Sequence, residues 1–162
     1  LAATRRKRPD KSPGIPAAID VVAARRLTMT FTEKETAYLD SQLLGRLATI
    51  GPDGAPRNVP VGFRLNAELG TIDIGGHNLG ASQKFRNVRR NPRVSFVVDD
   101  LASVNPWTPR FIEIRGTAEA LETGGQAHGP GFAPELIRIT PRRIVAFGID
   151  AERNARNVTP PE

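Results

Sequence analysis

Residues 111–120, FIEIRGTAEA, constrain the fold of this chain more than any other stretch. Ile112, Ile114, Gly116, Ala118 and Ala120 alternate with Phe111, Glu113, Arg115, Thr117 and Glu119. A period of two with one apolar side is the mark of a β-strand that buries one face. Such a strand must sit in a sheet, because its backbone donors and acceptors need partners on both flanks. The same period recurs earlier, where Val59, Val61, Phe63 and Leu65 alternate with Asn58, Pro60, Gly62 and Arg64 and form a second core face. GRLATIG precedes that strand across the turn Pro52-Asp53-Gly54, and TIDIGG follows it across the turn at residues 66–70, giving a three-stranded meander. RVSFVVDD is a further strand, the Pro-rich SVNPWTPR is a link, and LIRIT and RRIVAFGID read as closing strands.

Two helices interrupt the strands. TFTEKETAYLDSQ opens with Thr32 three residues before Glu35, a capping box, and starts the ordered body. In SQKFRNVRRNP the apolar stripe is Ala81, Phe85 and Val88, with Lys84 and Asn87 on one flank and Arg86, Arg89 and Arg90 on the other; Asn91-Pro92 ends the helix. Six or seven strands joined mostly by hairpins, with two helical segments, predict a mainly β fold: an antiparallel barrel, closed or nearly so. ETGGQAHGPGFAPE is a Gly-rich loop or short helix.

The chain has 162 residues, enough for one domain with one core. Its net charge of +6 is unevenly placed: residues 1–28 carry seven Lys or Arg against Asp10 and Asp20, which leaves +5 there and +1 in the rest. The expected layout is a basic, disordered leader over residues 1–28, a barrel domain over 29–150 and a polar tail over 151–162. The single methionine, Met29, is the expected biological start, with residues 1–28 as upstream translated sequence. A basic leader binds nucleic acid at most non-specifically, and the near-neutral body argues against a nucleic-acid partner. The absence of cysteine excludes thiolate metal sites and cysteine nucleophiles and fits a reducing cytoplasm. No apolar run reaches the ~18–20 residues of a membrane helix, so no membrane partner is expected. His77 and His128 are far apart and without ligand spacing, so no metal is expected; a Gly-x-Ser-x-Gly elbow is absent, and GGHNLG is not a dinucleotide fingerprint.

What remains is an anion site. The amino end of the second helix offers free backbone amides, the hydroxyl of Ser82 and the charge of Lys84, a set suited to a phosphate. A solvated basic helix is the plainer reading of the same residues.

The order of these motifs resembles the pyridoxamine 5'-phosphate oxidase-like split-barrel flavoproteins, and within them the actinobacterial branch that uses the deazaflavin coenzyme F420. The resemblance rests on LGRLATIGPDGAPRNVPVGFRL, GTIDIGG, SQKFRNVRRNPRVSFVVDD, RFIEIRGTAEAL and RRIVAFGID taken in order. It implies a six-stranded antiparallel split β-barrel, a homodimer with a flavin-type cofactor at the subunit interface, and a reductase that passes a hydride from reduced deazaflavin to an unsaturated small molecule. By position, Arg57, Asn58, Val59, Pro60 and Val61 would border the ring system, and Ile74, Gly75 and Gly76 would let backbone approach it. Ser82, Gln83 and Lys84 would hold the phosphate, and Arg86, Arg90 or Arg143 would contact the carboxylates of the cofactor tail. Gln83 stands where the flavin mononucleotide (FMN) enzymes carry an arginine, and the carboxyl end lacks the Arg-Leu-x-Pro of true pyridoxamine-phosphate oxidases. The alternatives are an FMN-dependent reductase or oxidase of the same fold and a non-catalytic cofactor carrier. No catalytic acid or base is assigned; Tyr38, His77 and Trp107 are the side chains considered for donating or stacking.

Overall fold

The computed structural model describes residues 30–150 and 154–159. The expected leader at residues 1–28, and Met29, lie outside them. The element order is α1 (Glu33–Asp40), β1 (Leu44–Ile50), β2 (Pro56–Gly62), β3 (Arg64–Asn66), β4 (Thr71–Ile74), α2 (Gln83–Arg90), β5 (Arg93–Ser103), β6 (Thr108–Leu121), a 3-10 turn (Gly125–His128), β7 (Leu136–Phe147) and β8 (Asn154–Asn157).

The strands form one antiparallel sheet in the order β2-β1-β5-β6-β7-β4-β3, with β8 added to β7. β2 and β3 stand at opposite ends of that order, yet Phe63 alone separates them along the chain. The two ends of the sheet are therefore one bent strand, paired with β1 through its first part and with β4 through its second. This is the split barrel expected from the sequence, with β2 and β3 counting as one of six strands. The period-two residues fill its interior: Leu47, Ile72, Ile74, Phe96, Val98, Ile112, Ile114, Ile137, Ile139 and Ile144 are all completely buried. Each such side chain contributes ~1.5–3 kcal/mol by leaving water. α2 packs against β1 and β6 through Phe85 and Val88.

Four sequence expectations need correction. LIRIT and RRIVAFGID are not two strands: β7 runs unbroken through Pro141, with a bulge that pairs Arg115 with Arg143 but Gly116 with Pro141. Of the expected core face, Val61 is core and Phe63 and Leu65 pack against it, but Val59 does not join them. β2 is an edge strand with six of its seven residues exposed; Val61 is buried and Val59 is 37% exposed, because nothing in the single chain covers it. Ala81 is exposed and lies ahead of the helix, whose N-cap is Ser82; the apolar stripe is Phe85 and Val88. Finally, the expected tail is partly structural: Asn154–Asn157 pairs with β7, Val158 joins the core, and Arg156 makes a two-pronged contact with the buried Glu35 at 2.6 and 2.7 Å.

Candidate functional site

α2 begins where the chain leaves β4. Ser82 caps it, its Oγ accepting from the Phe85 amide at 3.3 Å, and its own amide donates to the Leu79 carbonyl at 2.9 Å. This turn sets Lys84, in the first turn of the helix, across from β2. Pro60, Val61 and Gly62, the segment Gly75 to Leu79, and Lys84 together line a cleft of about 230 Å³. β2 tolerates Pro56 and Pro60 because an edge strand has one flank of backbone that bonds to no neighbour.

The Gly75–Leu79 wall of the cleft is braced from behind by the distant loop of residues 122–135, which does not itself line the cleft. The Ala133 amide donates to the Gly76 carbonyl at 2.9 Å, and His77 Nδ1 lies 2.8 Å from the Gly131 carbonyl. A carbonyl only accepts, so Nδ1 carries the proton, and in the neutral ring Nε2 is then the acceptor. Phe132 lies between the two imidazoles, its ring centre 5.0 Å from His77 and 5.7 Å from His128. Burial pushes the His128 imidazole below its ordinary pKa, and the nearby charge of Arg64 pushes it the same way. Arg64 itself donates to the carbonyls of Ala127 and His128 at 2.8 and 2.7 Å, pinning the 3-10 turn.

The electrostatics of the cleft are one-sided. The amino end of a helix carries partial positive charge and favours an anion. Here the first turn holds no acidic residue and does hold Lys84, which makes no ion pair or hydrogen bond among the described residues. A cation at the positive end of a helix, with no counter-charge of its own, is the arrangement a bound phosphate stabilises.

Of the residues singled out from the sequence, Pro60, Val61, Gly75, Gly76 and Lys84 line this cleft. Ser82 adjoins it as the helix cap. Arg57 is turned into the β1–β2 hairpin, paired with Asp53 at 2.8 Å, and Asn58 and Val59 are exposed along β2. Ile74 is core. At Gly75 the space of a side chain is filled by the protein's own rings, since a Cβ would lie 2.9 Å from Phe132 and 3.0 Å from His128. Gln83 bonds along the helix, donating to Asn87 Oδ1 at 2.7 Å and accepting from Arg86 at 3.0 Å. Arg86 also donates to the Ala81 carbonyl at 2.6 Å, so its guanidinium folds back over the start of α2. Arg90 is exposed, and Arg143 donates to Asn157 at 2.9 Å. Tyr38 is buried and donates to Asp100, beneath Arg110, and Trp107 is 67% exposed at the β5–β6 turn; neither lines the cleft. No group of three or more potential metal-ligating side chains occurs among the described residues. Sequence reasoning did not single out Gly62, Asn78 and Leu79 as lining residues, and it missed the loop with Phe132 and Ala133 that braces Gly76, for which no local signal exists.

The model of the pyridoxamine 5'-phosphate oxidase family matches residues 31–153, which is the whole barrel. The chain belongs to the pyridoxamine 5'-phosphate oxidase family. It is 51% identical over 135 residues to a 5a,11a-dehydrotetracycline/5a,11a-dehydrooxytetracycline reductase of Streptomyces rimosus, covering 81% of this chain and 95% of that protein. Among solved structures it resembles a conserved hypothetical protein of Mycobacterium tuberculosis, with 26% identity, a TM-score of 0.59, and 74% of this chain and 86% of the other covered. The HupZ protein of Group A Streptococcus matches at a TM-score of 0.61 and 19% identity over 78% of this chain and all of that one, a likeness of fold alone. Members of the pyridoxamine 5'-phosphate oxidase family bind flavins or deazaflavins, and the chain is an oxidoreductase of the reductase type, as the sequence led us to expect. No described helix is long and apolar enough to cross a membrane.

Proposed function

We propose that this protein is a coenzyme F420-dependent reductase of an unsaturated small molecule of the dehydrotetracycline type, working in the cytoplasm as a homodimer. The observation that carries the reading is the unpaired Lys84 at the amino end of α2, facing an edge strand whose backbone is open. That donor set fits a cofactor with a phosphate and a flat ring system: one point charge and helix amides for the phosphate, exposed main chain for the ring edge. Half of the residues are shared with a reductase of dehydrotetracyclines, which supports the substrate class.

When bound, deazaflavin supplies a hydride. The rest is the work of the chain. Lys84 and the first turn of α2 hold the phosphate, with Ser82 fixing the geometry of that turn. Pro60, Val61 and Gly62 border the ring, and Arg57, Asn58 and Val59 extend that border along β2. The loop of residues 122–135 braces the Gly75–His77 wall through Ala133 and Gly131. His77 is the one titratable side chain in the lining besides Lys84, and its Nε2 is left free to accept a proton or a hydrogen bond. The reading is tested by mixing the protein with chemically reduced deazaflavin and a dehydrotetracycline and following cofactor oxidation by absorbance. Protein-dependent oxidation that requires the substrate is the expected result; oxidation equal to the protein-free control would remove the reductase reading.

A further inference from the structure

The loop of residues 122–135 is bonded partly to itself and partly to the barrel. Within the loop, the Gly125 amide donates to the Pro134 carbonyl at 2.8 Å and the Phe132 amide to the Gly129 carbonyl at 3.3 Å. The loop is fixed to β3 by Arg64, which donates to the Ala127 and His128 carbonyls, and to the end of β4 by the Gly76 carbonyl and the His77 ring. Gly76 and His77, with Gly75 before them, line the Lys84 cleft. A shift of the loop is therefore a shift of that wall.

His128 is wedged between loop and strand. At Gly75 a Cβ would stand 3.0 Å from the His128 Cγ and 2.9 Å from the Phe132 Cδ1, so both rings lie against the β4 backbone in space that only a glycine leaves. Phe132 is itself flanked by the His128 and His77 rings. The charges around His128 suit a neutral imidazole. Arg64 on β3 opposes a proton there, and Asp73 on β4 is the group that favours one. Asp73 is already engaged, accepting from Arg138 of β7 through two bonds of 2.8 Å and from Asn66 at 2.9 Å. Glu68, in the β3–β4 turn, lines the same hollow of about 440 Å³ but is exposed to water.

We infer that His128 is a positioning residue for the Lys84 cleft: its uncharged ring keeps the Gly75–His77 wall in place, and a proton on that ring loosens the wall. What the cleft holds is taken from the function proposed above, but the wall and its brace stand without it. An imidazolium wedged against β4 is a partly desolvated charge beside a second cation, and it is relieved by moving out to water. Phe132, Gly131 and Ala133, the residues that touch the wall, belong to the same loop and follow it. His77 does not respond in this way. A proton taken up at its Nε2 leaves the Nδ1–H on the Gly131 carbonyl. By linkage, a ligand that needs the wall in place weakens proton binding at His128 by the factor by which the proton weakens ligand binding.

The test is amide hydrogen exchange of the full-length protein at about pH 7.5 and about pH 5.5. Protection of the Ala133 amide, corrected for intrinsic exchange, is expected to fall about fivefold or more on acidification of the wild type, to stay level in His128→Gln and to fall as before in His77→Gln. Fluorescence titration with coenzyme F420 at the two pH values is expected to show a loss of affinity in the wild type beyond any loss in His128→Gln. Protection that ignores pH, or that falls equally in His128→Gln, would overturn the inference, as would an F420 affinity with the same pH course in both proteins. NMR of the wild type supplies a test that needs no variant. The His128 ring and the Ala133 amide are expected to share one titration midpoint, which moves down when F420 is added; separate midpoints would overturn the inference. If F420 binds at neither pH, the cofactor reading fails, and the exchange and NMR results alone decide whether His128 holds the wall.

Discussion

Asn87 sits on a helix in which every second residue on average is charged, and is nevertheless completely buried. Its Nδ2 donates to Thr49 Oγ1 at 3.0 Å and its Oδ1 accepts from Gln83 at 2.7 Å, so one amide ties α2 to β1 across the barrel end. Asn87→Ala removes both bonds and leaves the Thr49 hydroxyl buried without that donor. A loss of ~1–3 kcal/mol is expected, read as a lower urea midpoint at unchanged slope. The same network explains what was and was not legible in the sequence at this scale. Lys84 could be picked out because a cation in the first turn of a helix is locally anomalous. Gln83 invited a comparison with an absent arginine; its bonds to Asn87 and Arg86 could not be read locally, because Thr49, the partner that completes the network, is 38 residues away in the chain.

Elements whose neighbours are close in sequence were readable: the capping box of α1, the β1–β2 hairpin and the alternation of β6 are all present. Elements defined by distant partners were not. β2 alternates like a core strand and is exposed because it is an edge; β8 is polar and pairs because β7 offers it a free flank. The loop of residues 122–135 belongs to this second class, since it is held by Arg64 and by Gly76, both far upstream. Its half-buried His128 has a pKa below the ordinary 6.5, with burial as the main cause and Arg64 as the second, opposed by Asp73. The unfolded chain therefore takes up this proton more readily than the folded one. The stabilisation is complete above the unfolded pKa and is lost as pH falls through the lower folded value. Thermal melting between about pH 7 and about pH 5 is expected to show a falling midpoint, with a shallower fall in His128→Gln. Equal slopes for the two proteins would show that the loop is indifferent to that proton.

For the molecule as a whole, closure of the barrel through the continuous β2–β3 strand leaves no edge at that seam except the outer flank of β2. Leu43, Leu44, Val104 and Trp107 are 54–84% exposed, and β2 is uncovered. Apolar exposure of this kind is resolved by association, and light scattering is expected to give twice the chain mass; a single-chain mass would leave the cofactor site to one subunit. The central claim, that the Lys84 cleft holds the phosphate of deazaflavin, is tested most directly by parallel fluorescence titrations of the protein and of Lys84→Ala with coenzyme F420 and with FMN. F420 is expected to bind more tightly than FMN, and Lys84→Ala to lose ~1.5–3 kcal/mol of that binding. Preference for FMN, or an affinity for F420 that Lys84→Ala leaves unchanged, would contradict the claim.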